Sequence, residues 1–509
     1  MNNKPIKLIK LTLLSMIVLM VSTCVKLEED LSGILSAGNI ITESDAMSAL
    51  APAYRAYQSA YQQSHRMRTA TYGSDDLTAW WGGNKQPFRN FDTFNYGSGE
   101  NSDHAWHQDP WDKYWRTIYR TNSVLNALAE STADPELVAT AQGEARFMRA
   151  LAYLVLVRTW GNMPVILDGV IPTGEEDRET VLANYGHIEA DLLFAEANLP
   201  GPDEVTNVGR ASSAAASAAL ADLYLTWAGW PVKDESKYAA AAQKAKAVID
   251  LGYFELLPFD ELWLQENQNS RESIFSVQFS EAEDNRNIAP QNFHFHEAGG
   301  WSDAYPERQF FLDFPEGLRK EITFHDSIPQ RVTRNGQVVE LGFSVHWTDS
   351  QRKHPMYRKF NLAERLDLAG KLAGYRAVEV YRYAEVLLIY AEAQLRSGGQ
   401  TAESLEALNQ VKRRAMGLPY DVPDSGVDVV SATADEIIAE KGWELAGEHK
   451  RWFDLVRSEK IEEVTLRRDP TEEVALVRQP TRDNYIAPIP AQAINTSIMM
   501  QNPEGFRIQ

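Results

Sequence analysis

Apolar side chains recur along this chain at helical spacing, and the stripes come in pairs. Leu50, Tyr54, Tyr57 and Tyr61 fall at i, i+4, i+7 and i+11, and Trp115, Ile118, Leu125 and Leu128 repeat the stripe. Met148, Leu151, Ala152 and Val155 line a third helix that closes at Trp160-Gly161. Val181, Tyr185, Ile188, Leu192 and Ala195 line a fourth, stopped by Leu199-Pro200-Gly201-Pro202. Leu220, Leu223, Tyr224 and Trp227 lead to Gly229; Tyr238, Ala241, Ala242, Ala245 and Val248 lead to Gly252. The last pair runs through Tyr383, Val386, Leu387 and Tyr390 to Gly398-Gly399, then through Leu405, Leu408 and Val411 to Gly417. Large aromatics facing runs of alanine let two helices approach closely. The spacing therefore predicts a mostly α fold of four tetratricopeptide-like helical hairpins, interrupted by long insertions rather than stacked as a regular solenoid.

The insertions have a different grain. Residues 64–110 are rich in Gly, Asn, Asp and aromatics, and residues 253–378 mix short β-like runs with turns. Ser273 to Phe279 (SIFSVQF) alternates like a strand, and Val332 to Val339 around Asn335-Gly336 reads as a short β hairpin. The chain divides into an N-terminal helical region, 41–252, carrying the first insertion, and a C-terminal region, 253–509. The second insertion, 253–378, and the last hairpin, 379–417, belong to the C-terminal region. Long loops on a rigid helical frame are where binding function concentrates.

Ahead of the stripes, Lys4, Lys7 and Lys10 precede an apolar run from Leu11 to Val21. About 11 residues cannot span a bilayer, which needs roughly 20, but they suit the core of a secretory signal at 1–23. Val21-Ser22-Thr23-Cys24 resembles the lipobox of bacterial lipoproteins, with Thr23 where Gly or Ala is usual. Cys24 is the only cysteine of 509 residues, so neither a disulfide framework nor a cysteine zinc site is available. Lipidation at Cys24 would anchor the chain through an acidic tether, 24–40, that opens with Lys26-Leu27-Glu28-Glu29-Asp30. A plain signal peptide with an incidental cysteine is the alternative. The formal charge of −21 argues against nucleic acid, whose phosphates require basic patches.

Five segments carry a family resemblance. "AQGEARFMRALAYLVLVRTWGNMPVI" (141–166), "RASSAAASAALADLYLTWAG" (210–229) and "YRYAEVLLIYAEAQLRSGG" (381–399) resemble internal signatures of the SusD/RagB-like lipoproteins. "EIIAEKGWELAGEHKRWFDLVR" (436–457) resembles that family's late helix, with Glu440-Lys441 where an "ER" pair is common, and "YIAPIPAQAINTSIMMQNPEGF" (485–506) its closing segment. The resemblance implies a SusD-like α-α superhelix, lipid-anchored at an outer membrane and surface-exposed. It also implies a lid over a SusC-like TonB-dependent β-barrel transporter, capturing a nutrient that is most often a glycan and in some members a peptide. This is a binding role rather than catalysis.

Sugars present apolar C–H faces and many hydroxyls, so a glycan site needs exposed aromatic platforms beside hydrogen-bonding side chains. "GSDDLTAWWGGNKQPFRNF" (73–91) offers Trp80, Trp81, Asn84 and Arg89, and "FHEAGGWSDAYPERQF" (295–310) offers Trp301, Asp303, Tyr305 and Arg308. Trp347 is a further candidate, with Trp263 and Trp230 behind it. Any of these rings could equally cap a hydrophobic cluster, and adjacent Trp80 and Trp81 cannot both face one side of an extended strand. Trp106, Trp111 and Trp115 read as packing.

No cofactor is expected. His104 with His107, and His294 with His296, have spacings that could serve a metal, but neither matches a metalloenzyme motif. Calcium at Asp75-Asp76 is the one ion the acids suggest, against a simple solvated loop. No G-x-S-x-G, HExxH or phosphate-binding loop occurs. A glycoside hydrolase would need two carboxylates at a spacing that only the fold reveals.

Overall fold

A computed structural model describes residues 40–62, 69–95, 105–283, 300–334, 337–360, 374–472 and 474–499, with single residues 287, 293, 295 and 502. The stripes become four helix pairs: α1 (Glu43–Tyr61) with α3 (Ala105–Ala129), α4 (Pro135–Trp160) with α5 (Val181–Asn198), α6 (Ser213–Ala228) with α7 (Lys237–Asp250), and α8 (Tyr383–Gly398) with α9 (Ala402–Ala415). The short α2 (Gln86–Asp92) lies within the first insertion. Each pair also packs on the next, through α3 on α4, α5 on α6 and α7 on α8. The helices start where side chains satisfy the free N–H groups. Thr42, Thr401 and Thr433 form capping boxes, and Thr180 and Ser212 cap α5 and α6. Alanine explains why α6 can sit inside: nearly all its residues are buried, and its small side chains admit Ala241, Ala242 and Ala245 of α7.

The strands are short and pair in twos: β1 (Thr78–Ala79) with β3 (Ala304–Tyr305), β2 (Ser273–Val277) with β8 (Val378–Arg382), β4 (Phe324–His325) with β7 (Met356–Tyr357), and β5 (Ser327–Arg334) with β6 (Gln337–His346). Of the expected strand at 273–279, Ser273–Val277 forms, and its partner β8 starts at the last residue of the second insertion. The hairpin at 332–339 is longer than its alternation suggested, because pairing continues back to Ser327 and His346; Asn335-Gly336 lies outside the described residues.

The late helix departs from expectation. It is two helices, α10 (Ala434–Glu444) and α11 (Arg451–Arg457), separated by a turn in which Gly447 has φ +75°. A Cβ there would lie 2.9 Å from the rings of Tyr357 and Phe360, so only glycine fits. The family-signature pair is buried and ion-paired: Glu440 meets Arg319 at 2.7 Å, and Lys441 meets Asp454 at 3.1 Å. Beside them Arg382 and Arg414 converge on Glu272 and Glu444, and Arg382 reaches Glu448 as well. Burial alone would raise Glu444, but Arg414, Arg382 and Arg319 pull it down to about 2. Arg382 and Lys359 do the same for Glu448, also to about 2.

The turn also receives the first insertion. Asp75 forms a two-pronged pair with Arg451 at 2.8 and 2.9 Å, and Asp76 accepts from the Gly447 amide at 2.9 Å. Among the described residues no helix is long and apolar enough to cross a membrane.

Candidate functional site

The two loops singled out by their aromatics meet. β1 and β3 pair antiparallel, with Thr78 opposite Tyr305 and Ala79 opposite Ala304, and the Trp80 amide extends the ladder by donating to the Asp303 carbonyl at 3.3 Å. Lys85 adds a second tie, an ion pair to Asp303 at 2.7 Å, with its ammonium 5.3 Å from the Trp106 ring and 5.6 Å from the Trp301 ring.

The two adjacent tryptophans differ in exposure. Trp81 is 58% exposed; Trp80 is half-buried, its ring 6.1 Å from that of Trp81 and edge-on. Trp80 is held from several directions. The Arg352 guanidinium lies 3.7 Å from its ring centroid, and Gly82 lies so close that a Cβ would be 2.8 Å from Cζ2. With Trp347, Trp80 packs on a small cluster of Phe295, Tyr305, Ile328 and Met356. Trp301 is half-buried, and its carbonyl accepts from Arg352 at 3.4 Å. Arg352 therefore touches both loops.

The remaining candidates divide. Asn84 is exposed, three residues after Trp81 in the same loop. Arg89 is spent on the loop itself, donating to the carbonyls of Trp80 at 3.0 Å and Gly82 at 3.1 Å. Asp303, Tyr305 and Arg308 are buried, which corrects their reading as surface hydrogen-bonding groups. Asp303 faces Lys85, and the Tyr305 ring centroid is 4.4 Å from that of His354. Arg308 donates to the Lys353 carbonyl at 3.0 Å and to Thr471 Oγ1 at 2.8 Å. Trp347 is half-buried at the end of β6, its ring edge-on to Phe311. Trp230, Trp106 and Trp111 are buried. Sequence reasoning missed Lys85 and Arg352, since a single cation in a loop carries no pattern.

Beneath the ladder lies a buried charge cluster. Arg468 donates to Asp92 at 2.8 Å and to Glu307 at 2.7 Å, and Thr78 Oγ1 donates to Asp92 at 2.9 Å. Burial pushes both carboxyls up, Glu307 well above the usual range, with Arg468 pulling against it. Alongside, His354 pairs with Glu472 at 2.5 Å, and that contact overcomes burial to hold Glu472 low. Asp75 and Asp76 face Arg451 and Gly447 rather than solvent. Among the described residues no group of three or more His, Cys, Asp or Glu could hold a metal ion; His104, His294 and His296 lie outside them, as does Cys24. What the site offers is an exposed indole on a braced support.

Comparison with known proteins agrees with the fold. A model of the SusD family matches residues 344–505, and a model described as "Starch-binding associating with outer membrane" matches residues 45–225. A SusD-like protein of Bacteroides ovatus is 27% identical over 68% of this chain and 64% of its own length. SusD-like protein P2 of Formosa agariphila is 27% identical over 77% and 79% respectively. A SusD homolog from Bacteroides thetaiotaomicron superposes with a TM-score of 0.76 at 22% identity, covering 91% of this chain and 97% of that one. Surface glycan-binding protein A from Bacteroides uniformis gives 0.73 at 23% identity, over 91% and 100%. A structure solved with a xylogluco-oligosaccharide gives 0.71 at 21% identity, over 89% and 97%. At these identities the solved structures speak to the fold alone.

Proposed function

Since the chain belongs to the SusD/RagB-like family, we propose that it is a glycan-binding lipoprotein of the outer membrane that captures oligosaccharide or polysaccharide at the Trp81 face. Its cargo would pass to a SusC-like TonB-dependent transporter, with Cys24 as the lipid anchor and the binding loops turned outward. The observation that carries the reading is the exposed ring of Trp81 on a support that the fold goes to some length to hold still. An indole left 58% in water contributes little to the core, but its flat face suits the C–H face of a pyranose. Half-buried Trp301 and exposed Asn84 supply a second ring edge and an amide for hydroxyls. The names of relatives support a glycan as the ligand class, and the outer-membrane wording of the matched family model supports the location.

The test is affinity electrophoresis of the chain from residue 25 onward through gels containing xyloglucan, starch, mannan or arabinoxylan, with product analysis on the same mixtures. Retardation by one polymer class without new reducing ends is the expected result. Cleavage would replace the binding role with a glycosidase. Retardation by none would end the glycan reading and turn attention to peptides.

A further inference from the structure

One cation of the tryptophan loop lacks a carboxylate. Between Asp76 and Asp92 the chain carries Lys85 and Arg89 and no acid. Lys85 is matched by Asp303. Arginines buried elsewhere in the fold are matched as well, Arg149 by Asp191, Arg158 by Asp222, Arg382 by Glu444 and Arg468 by Asp92. Arg89 is half-buried, and among the described residues no carboxylate lies within ion-pair distance of it. The loop uses only its Nη1, which donates to the carbonyls of Trp80 and Gly82; Nε and Nη2 donate to no protein group, and neither is sealed from water. That Nε–Nη2 edge is the fork that takes an anion through two parallel hydrogen bonds. In this same fold it holds Asp191 on Arg149, Asp428 on Arg413 and Asp75 on Arg451. Burial depresses the Arg89 pKa, and Tyr305 and Asp92, which oppose the fall, do not offset it. The guanidinium is a cation at neutral pH, held part-way out of water without a counter-charge.

Its place is set by the carbonyls on either side of Trp81. From 3.0 Å at the Trp80 oxygen, peptide geometry puts Nη1 within about 6 Å of the Trp81 Cα. We propose that Arg89 is an anion subsite of the glycan site, so that the preferred glycan carries a uronate carboxylate or a sulfate ester on, or next to, the sugar stacked on Trp81. This rests on the glycan-binding reading above and names the class of sugar within it. The formal charge of −21 repels polyanions at long range, but at physiological salt that repulsion is screened beyond roughly 8 Å, whereas a direct contact persists. An unmatched fork beside the indole would then select acidic sugars locally on a molecule that is otherwise unattractive to them.

The experiment uses the chain from residue 25 onward, which retains the whole 37–509 contact unit, at about 0.15 M salt. Probes are glucuronoxylan before and after carboxyl reduction and a sulfated galactan before and after desulfation, beside the four polymers named above. Within each pair the backbone is the same and only the charge differs. At least one acidic form should bind about five- to tenfold tighter than its neutral partner, as for one charge-assisted contact at a partly exposed site. The two arms tell carboxylate from sulfate. Arg89→Gln should bring the pair within about twofold of each other, and Arg89→Lys, which keeps the charge without the fork, should fall between. If Arg89 only holds the loop, Arg89→Gln weakens both forms by the same factor and the preference survives, which overturns the inference. Equal binding of both forms by the unaltered chain, or retention of neutral polymers alone, overturns it too, and in each case the glycan reading stands. Retention of no polymer, acidic or neutral, removes both.

Discussion

Trp81 reaches solvent because Trp80 does not: Arg352 and Gly82 brace the inner ring, and Arg89 holds the carbonyls of Trp80 and Gly82. Trp81→Ala should therefore weaken glycan retention by about 1–3 kcal/mol, the range for a central aromatic contact, with no change in thermal unfolding. Unchanged retention in the affinity gel would take that ring out of the site. Arg352→Ala should act differently, lowering both the unfolding temperature and the affinity, because it uncovers Trp80 and frees the Trp301 carbonyl. Arg352→Lys should fall between the two, since an ammonium stacks less well than a guanidinium. That one of the two adjacent tryptophans would be the more buried could be read from the sequence. The burial of Asp303 and Arg308 could not, because it depends on partners elsewhere in the chain: Lys85, Lys353 and Thr471.

Among the elements, the two-residue ladder of β1 and β3 is too short to persist unaided, and Arg468 holds it from below through Asp92 and Glu307. Arg468→Leu would leave two carboxylates buried without their cation. It should cost on the order of 3–5 kcal/mol, measured by urea unfolding, and should speed amide exchange at Trp80. Full stability in that variant would mean the carboxyls are neutral and need no partner. The helices were legible in the sequence because packing repeats every few residues and small caps mark their starts. The ladder was not, since two residues of extended chain have no period. The late helix misled for a related reason: its apolar positions stay in phase across Gly447, while the turn answers to the rings of Tyr357 and Phe360.

At the scale of the molecule, the four hairpins are joined to the site by buried charge, and that makes stability depend on acidity. Glu444 and Glu448 titrate near 2 in the fold, below their ordinary 4.5. Their contribution is complete above pH 4.5 and is lost as pH falls toward 2. Asp76, pushed up by burial to about 6, acts in the opposite sense: its contribution is greatest below 3.8 and is lost as pH rises through 6. Urea titrations should show Glu448→Gln less stable than the unaltered protein at neutral pH, with the gap closing between pH 4.5 and 2. A constant gap would mean that Glu448 keeps an ordinary pKa. The hairpin scaffold was visible from its stripes and signatures, whereas these ion clusters draw single residues from many segments. Asp75 with Arg451 and Asp92 with Arg468 each join residues 376 positions apart. Closing so long a loop is entropically slow. A chain truncated before Arg451 would retain the hairpins and the β1–β3 pairing but would lack the two cations that pair with Asp75 and Asp92. On the proposed function, glycan retention would then depend on the chain's final segment as well as on the loops that carry the exposed ring.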